Sequence, residues 1–146
     1  MLGAISAYAT IVLGGTVRGT EAGGACPDWP LCHGSLVPNL ADPLVAIEYA
    51  HRLAAAVTSV CLLLTFVAAV LWFRAQRGLV IPSFAALAIL GTQVFIGALT
   101  VSSGLDWVIV TVHLALGTAT FAASLAVALL SFVRLPPTLP GAAAPD

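Results

Sequence analysis

Four apolar stretches recur along this chain. Each is close to the twenty or so residues a helix needs to cross the hydrocarbon core of a bilayer, and nothing else constrains the fold as strongly. They run from about Leu2 to Val17, Leu44 to Phe73, Leu79 to Val101 and Val108 to Val133. The composition agrees: 60% of the 146 residues are hydrophobic and 8% are charged, against about 25% charged in a soluble domain. That is too little charge to cover a water-facing surface. A net charge of −1 suggests neither nucleic acid nor an acidic partner. Backbone polar groups have no solvent partner in lipid, so the predicted fold class is an all-α membrane protein, a four-transmembrane-helix bundle.

The first stretch is at the short limit, and Ala7-Tyr8-Ala9 resembles a signal-peptide cleavage site. It lacks a positive leading region and is therefore read as a helix. The transmembrane domain is expected to cover residues 1–135. The Pro- and Ala-rich segment 136–146 reads as a disordered cytoplasmic tail.

Arginines set the expected orientation in the cell membrane. Arg74 and Arg77 lie between the second and third stretches, and Arg134 follows the fourth. With four spans these share one side, the cytoplasm, together with both termini. The long loop 18–43 and the short loop near Ser102–Trp107 are then extracytoplasmic. Arg18 and Arg52 depart from this rule and invite another explanation. Cys26 and Cys32 flank Pro-Asp-Trp-Pro-Leu in the long loop, where an oxidising compartment allows a disulfide. Cys61, amid apolar residues, reads as a small packing residue.

The chain also reads as two helix hairpins in tandem. Gly15-Thr16-Val17-Arg18-Gly19 ends one helix and Leu99-Thr100-Val101-Ser102-Ser103-Gly104 ends another. Each is followed by a loop and a returning helix with a histidine in its opening turns, His51 and His113. Such repeats suggest two half-sites facing a shared interior.

Ionisable residues inside a membrane are costly, so Glu48, His51, Arg52 and His113 are candidate functional residues, with Gln93 a polar companion. At 1.5 Å per residue, both histidines fall roughly 8–11 Å below the same ends of two parallel helices. Two imidazoles at one level can ligate a flat metal macrocycle from both faces. Small residues follow each histidine: Ala54, Ala55 and Thr58 after His51, Gly117 and Thr120 after His113. They fit a slot for haem, although small residues also permit simple close helix packing. Arg52, and Arg18 at the end of the first helix, suit haem propionates through the planar guanidinium; lipid headgroups are the alternative. Glu48 shares a face with His51 and can either act at a haem edge or pair with Arg52. His33 reads as a solvated loop residue. A zinc site would need four close donors and is poorly supported.

Taken together, Gly14-Gly15-Thr16-Val17-Arg18, the loop Cys26-Pro27-Asp28-Trp29-Pro30-Leu31-Cys32, Glu48-Tyr49-Ala50-His51-Arg52, Gly97-Ala98-Leu99-Thr100-Val101 and His113 resemble the haem A synthase family over residues 11–121. The resemblance implies oxidation of the C8 methyl of haem O to the formyl group of haem A, for terminal oxidase biogenesis. It implies His51 and His113 as axial ligands of haem iron, Glu48 as the catalytic carboxylate, and Cys26 and Cys32 as paired loop cysteines. The bound group would be haem O as substrate, haem b, or both. Typical members carry eight helices in two halves with four histidines. This chain resembles the first half, so a homo-oligomer is expected, with haem O synthase or an electron donor as candidate partners. Two other classes fit parts of the pattern. A b-type cytochrome uses the histidines but leaves Glu48 without a task. A thiol oxidoreductase uses Cys26 and Cys32, although Cys-x-x-Cys is the usual spacing for that chemistry.

Overall fold

The computed structural model describes residues 1–134, so the tail expectation for 136–146 lies outside the described residues. Four helices form: α1 (Leu2–Gly19), α2 (Pro43–Trp72), α3 (Arg77–Ser102) and α4 (Trp107–Arg134). Their bounds lie within two residues of the apolar stretches. All four are apolar on average with little sidedness, as expected of helices whose outer faces also meet an apolar medium. α2, α3 and α4 are long and apolar enough to cross a membrane; α1 is not among them. α1 is the shortest helix, at 18 residues, and ends with Arg18.

Local chemistry fixes the helix starts at the loop end. Asp42 accepts the Leu44 N–H and Pro43 occupies the first turn, where its missing N–H costs nothing. Asp106 repeats the device for α4, accepting from the N–H groups of Val108 and Ile109. Between α3 and α4 the chain turns through Gly104 and Leu105, both at positive φ. α1 packs on α2, α2 on α3, α3 on α4, and α4 closes back on α1, so α2 and α4 face each other diagonally.

Buried residues are not spread evenly along this bundle. At the end carrying the N-terminus the core is continuous: Ala4, Ala7 and Thr10 of α1, Thr58 and Leu62 of α2, Ser83, Ala86 and Leu90 of α3, and Thr120, Ser124 and Val127 of α4. Leu62, Ala86 and Leu90 form its apolar centre. Small residues allow this close approach. A Cβ at Gly3 would stand 2.7 Å from Leu62 Cδ2. Toward the loop end, α1 beyond Thr10, α3 beyond Leu90 and α4 before Gly117 contain no buried residue. On α2 only Val45 and Glu48, beneath the long loop, are buried in this half. The bundle is closed below and unpacked above.

Candidate functional site

His51 and His113 both stand in the unpacked half, just above the closed core. The His51 Nδ1–H donates to the Thr10 carbonyl across the α1–α2 contact at 3.1 Å. The His113 Nδ1–H donates to the Gln93 carbonyl across the α3–α4 contact, also at 3.1 Å. A carbonyl can only accept, so Nδ1 carries the proton in both rings and Nε2 presents its lone pair. Each ring also lies against a glycine four residues beyond its carbonyl partner. A Cβ at Gly14 would meet His51 Cε1 at 3.0 Å, and one at Gly97 would meet His113 Cε1 at 2.9 Å.

A hydroxyl about two helical turns beyond each histidine locks its carbonyl residue. Thr58, seven residues after His51, shares a 2.9 Å hydrogen bond with the Thr10 hydroxyl. Thr120, seven after His113, donates to the Gln93 amide oxygen at 2.9 Å. The hairpins therefore contribute the same unit twice: ligand-type histidine, orienting carbonyl, facing glycine and locking threonine. Sequence reasoning missed Thr10 and gave no contact to Gly14 or Gly97. The matching intervals within the hairpins were the available signal. Gln93, expected only as a polar companion, orients His113 through its backbone and buttresses the core through its side chain.

The two half-sites differ in what surrounds them. In the first, Glu48 is buried at 5% exposure, and its Oε1 accepts the Arg52 Nε–H at 2.8 Å. In the second, Val110 and Leu114 hold the corresponding positions. Arg52 does more than pair with Glu48: Nη1 donates to the carbonyls of Asp28 and Leu31, each at 2.7 Å, and Nη2 to that of Cys26 at 2.8 Å. The fork expected to meet propionates is thus engaged by the loop and Glu48. Arg18 lies exposed in the last turn of α1. The space in front of Gly117 is filled by the Gln93 amide, since a Cβ there would lie 2.9 Å from Gln93 Nε2. Gly117 therefore serves the packing around Gln93.

The long loop is closed by a Cys26–Cys32 disulfide, both cysteines buried against Val45. Within it the Asp28 carboxylate accepts the N–H groups of His33 and Gly34, both at positive φ. Those bonds, the Gly34 one foremost, hold the Asp28 carboxyl below the usual carboxylate range. His33 is exposed but its Nε2–H donates to the Ala25 carbonyl. Cys61, half-buried, is a free thiol on α2.

The residues present fit a haem. Among the described residues both Nε2 atoms are free of hydrogen bonds, their rings are oriented from behind as ligating imidazoles usually are, and α1, α3 and α4 carry no buried residue at this level.

Comparison with known proteins places the chain among relatives. The family model described as cytochrome oxidase assembly protein matches residues 1–144. A heme A synthase from Exiguobacterium sibiricum is 34% identical over 129 residues, which is 85% of this chain and 42% of that protein. A heme A synthase from Symbiobacterium thermophilum is 40% identical over 101 residues, 66% of this chain and 31% of that protein. A protoheme IX farnesyltransferase from Halobacterium salinarum is 40% identical over 128 residues, 86% of this chain but 27% of that protein. The chain thus spans well under half the length of these curated relatives.

Proposed function

This chain belongs to the haem A synthase family of cytochrome oxidase assembly proteins, and from that premise we propose that it oxidises the C8 methyl of haem O to the formyl group of haem A for terminal oxidase biogenesis. The observation that carries this reading is the pair of carbonyl-oriented histidines standing in the unpacked half of the bundle, one from each hairpin. His51 and His113 would hold the haem iron through their imidazoles. When bound, the iron and porphyrin would supply the electronic chemistry; the net change, R–CH3 + H2O → R–CHO + 4H+ + 4e−, passes its electrons to an external acceptor.

Glu48 makes the site asymmetric, and asymmetry is what oxidation of one methyl among several requires. Its buried carboxylate, three residues toward the loop from His51, holds or moves a proton at the porphyrin edge and stabilises positive charge there. Arg18, free at the loop end of α1, is the cation for the propionates. The closed core below Thr10, Thr58, Gln93 and Thr120 keeps water from the inner end of the site.

α1 adds a fourth span: 18 residues rise about 27 Å, close to the hydrocarbon thickness. The arginines at Arg74 and Arg77 favour that end as cytoplasmic, with the Cys loop extracytoplasmic. The similarity to a segment of a protoheme IX farnesyltransferase supports a haem O-forming enzyme as the working partner. We propose further that the chain works as a homo-oligomer.

The test is co-expression with a supply of haem O, followed by identification of extracted pigments by mass. Haem A or a hydroxylated precursor is expected. A preparation that binds haem O and yields neither sinks the synthase reading in favour of an electron-carrying cytochrome. Glu48→Ala is expected to keep the haem absorption spectrum while product formation falls by at least about a hundredfold.

A further inference from the structure

Arg52 joins two parts of the molecule that the proposed reaction does not by itself connect. Its three loop partners, the carbonyls of Cys26, Asp28 and Leu31, all lie within the ring that the Cys26–Cys32 disulfide closes. Its fourth partner is the Glu48 carboxylate. Four of the five guanidinium N–H bonds are thereby engaged. Because the guanidinium is planar and rigid, fixing Nη1 and Nη2 fixes the direction of Nε–H.

We infer that Arg52 is a positioning residue that couples the disulfide-closed loop to Glu48, so that the redox state of Cys26–Cys32 sets where the Glu48 carboxylate points. This rests on Glu48 as the acting carboxylate. Three features of the structure carry it. The pair is largely buried, with the Arg52 side chain 14% and the Glu48 side chain 7% exposed, so neither can exchange its partners freely for water. The loop carbonyls that Arg52 grips belong to a segment also tied across itself, through Asp28 to His33 and Gly34 and through His33 to Ala25, so a change at the disulfide and a change at Arg52 reach the same body. The second hairpin has none of this apparatus, carrying Val110 and Leu114 and the short turn Ser103–Asp106. Positioning of the carboxylate is thus a property of one half-site.

The redox step balances with a dithiol reductant. The dithiol gives two electrons and two protons to the S–S bond, which breaks to leave two Cys thiols, and the reductant leaves as its own disulfide. Without the bond, the carbonyls of Cys26 and Leu31 are no longer held at the separation that the fork spans. Arg52 then loses loop partners, and Glu48 loses its fixed donor.

The experiment uses the full chain in lipid nanodiscs, with and without dithiothreitol, as wild type, Arg52→Gln and Arg52→Lys. Amide exchange is read over residues 26–35 and methyl oxidation as kcat and KM. In the wild type, reduction is expected to speed exchange and lower kcat, each by about tenfold, with KM unchanged. Oxidised Arg52→Gln is expected to match the reduced wild type in kcat, with reduction adding nothing further. Arg52→Lys keeps the charge without the fork and is expected to retain folding and haem content but not kcat. Wild-type loop protection in oxidised Arg52→Gln overturns the inference. So does an equal further loss of kcat on reducing that variant, because the two effects would then be independent. Failure of the wild type to form any product overturns the functional reading alone, while the exchange arm still decides the tie.

Discussion

At the scale of single residues, the candidate site is governed by what stands behind each imidazole. Neither histidine has a carboxylate partner on Nδ1; both have a helix carbonyl. Such an oriented imidazole has Nδ1 engaged and leaves Nε2 as its ligating nitrogen. The facing glycines follow from the same arrangement, because α1 and α3 approach the rings too closely for a side chain. Gly14→Ala and Gly97→Ala are therefore expected to push the rings and weaken haem binding about tenfold. Gly15→Ala, where a Cβ meets nothing within 4 Å, is the control expected to bind normally. Haem titration followed by visible absorption reads all three. In the loop, the Asp28 carboxyl is held below its ordinary pKa of 3.8. A depressed carboxylate pKa stabilises the fold above the unfolded value, and that contribution disappears as pH falls through the folded one. Exchange protection of the His33 and Gly34 amides is thus expected to hold from neutral pH down to about that value and to collapse only below it. Asp28→Asn is expected to remove the protection at every pH.

At the scale of elements, each hairpin is a repeat whose register is set by side-chain hydrogen bonds across helices. Thr58 to Thr10 and Thr120 to Gln93 tie the helices at the same depth below the histidines. Thr120→Val leaves the Gln93 amide oxygen without its donor and is expected to cost about 1 kcal/mol. Thermal unfolding in detergent would show the loss, and a matching red shift or broadening of the haem band would show His113 moving with Gln93. The positions of all four helices were legible from the apolar stretches, because hydropathy over twenty residues is a local property. The Cys loop was legible as a unit, and its disulfide formed as the sequence allowed. Partner choice was not legible. Glu48 and Arg52 at i and i+4 suggest a pair, but no spacing shows that Arg52 also takes carbonyls from residues more than twenty positions away.

For the whole molecule, the uneven packing is the main structural result. One half of the bundle is cored by small and apolar residues, and the other is open at the level of the histidines. A bundle open on the side of its ligands gains rigidity when those ligands are bridged. Haem is accordingly expected to raise the melting temperature, most of all through protection of α4 before Gly117 and α3 beyond Leu90, and His113→Ala is expected to abolish that gain. Self-association is the whole-molecule part of the proposed reading. Light scattering of the detergent-solubilised protein checks it, and a strictly monomeric species that still forms product would remove the need for a second copy.

The sequence by itself determined an all-helical apolar chain, two hairpins with a histidine at matching depth in each, and a cysteine-closed loop over the first. These are set by local composition and by intervals along single helices, which the chain carries whatever its neighbours do. Only the tertiary structure decided that Thr10 and Gln93 orient the rings, that Gln93 fills the space before Gly117, and that Arg52 faces the loop. Each of these depends on which helix faces which and at what height. That choice belongs to packing between segments far apart in the chain, where small residues let several approaches compete and only the assembled bundle selects one.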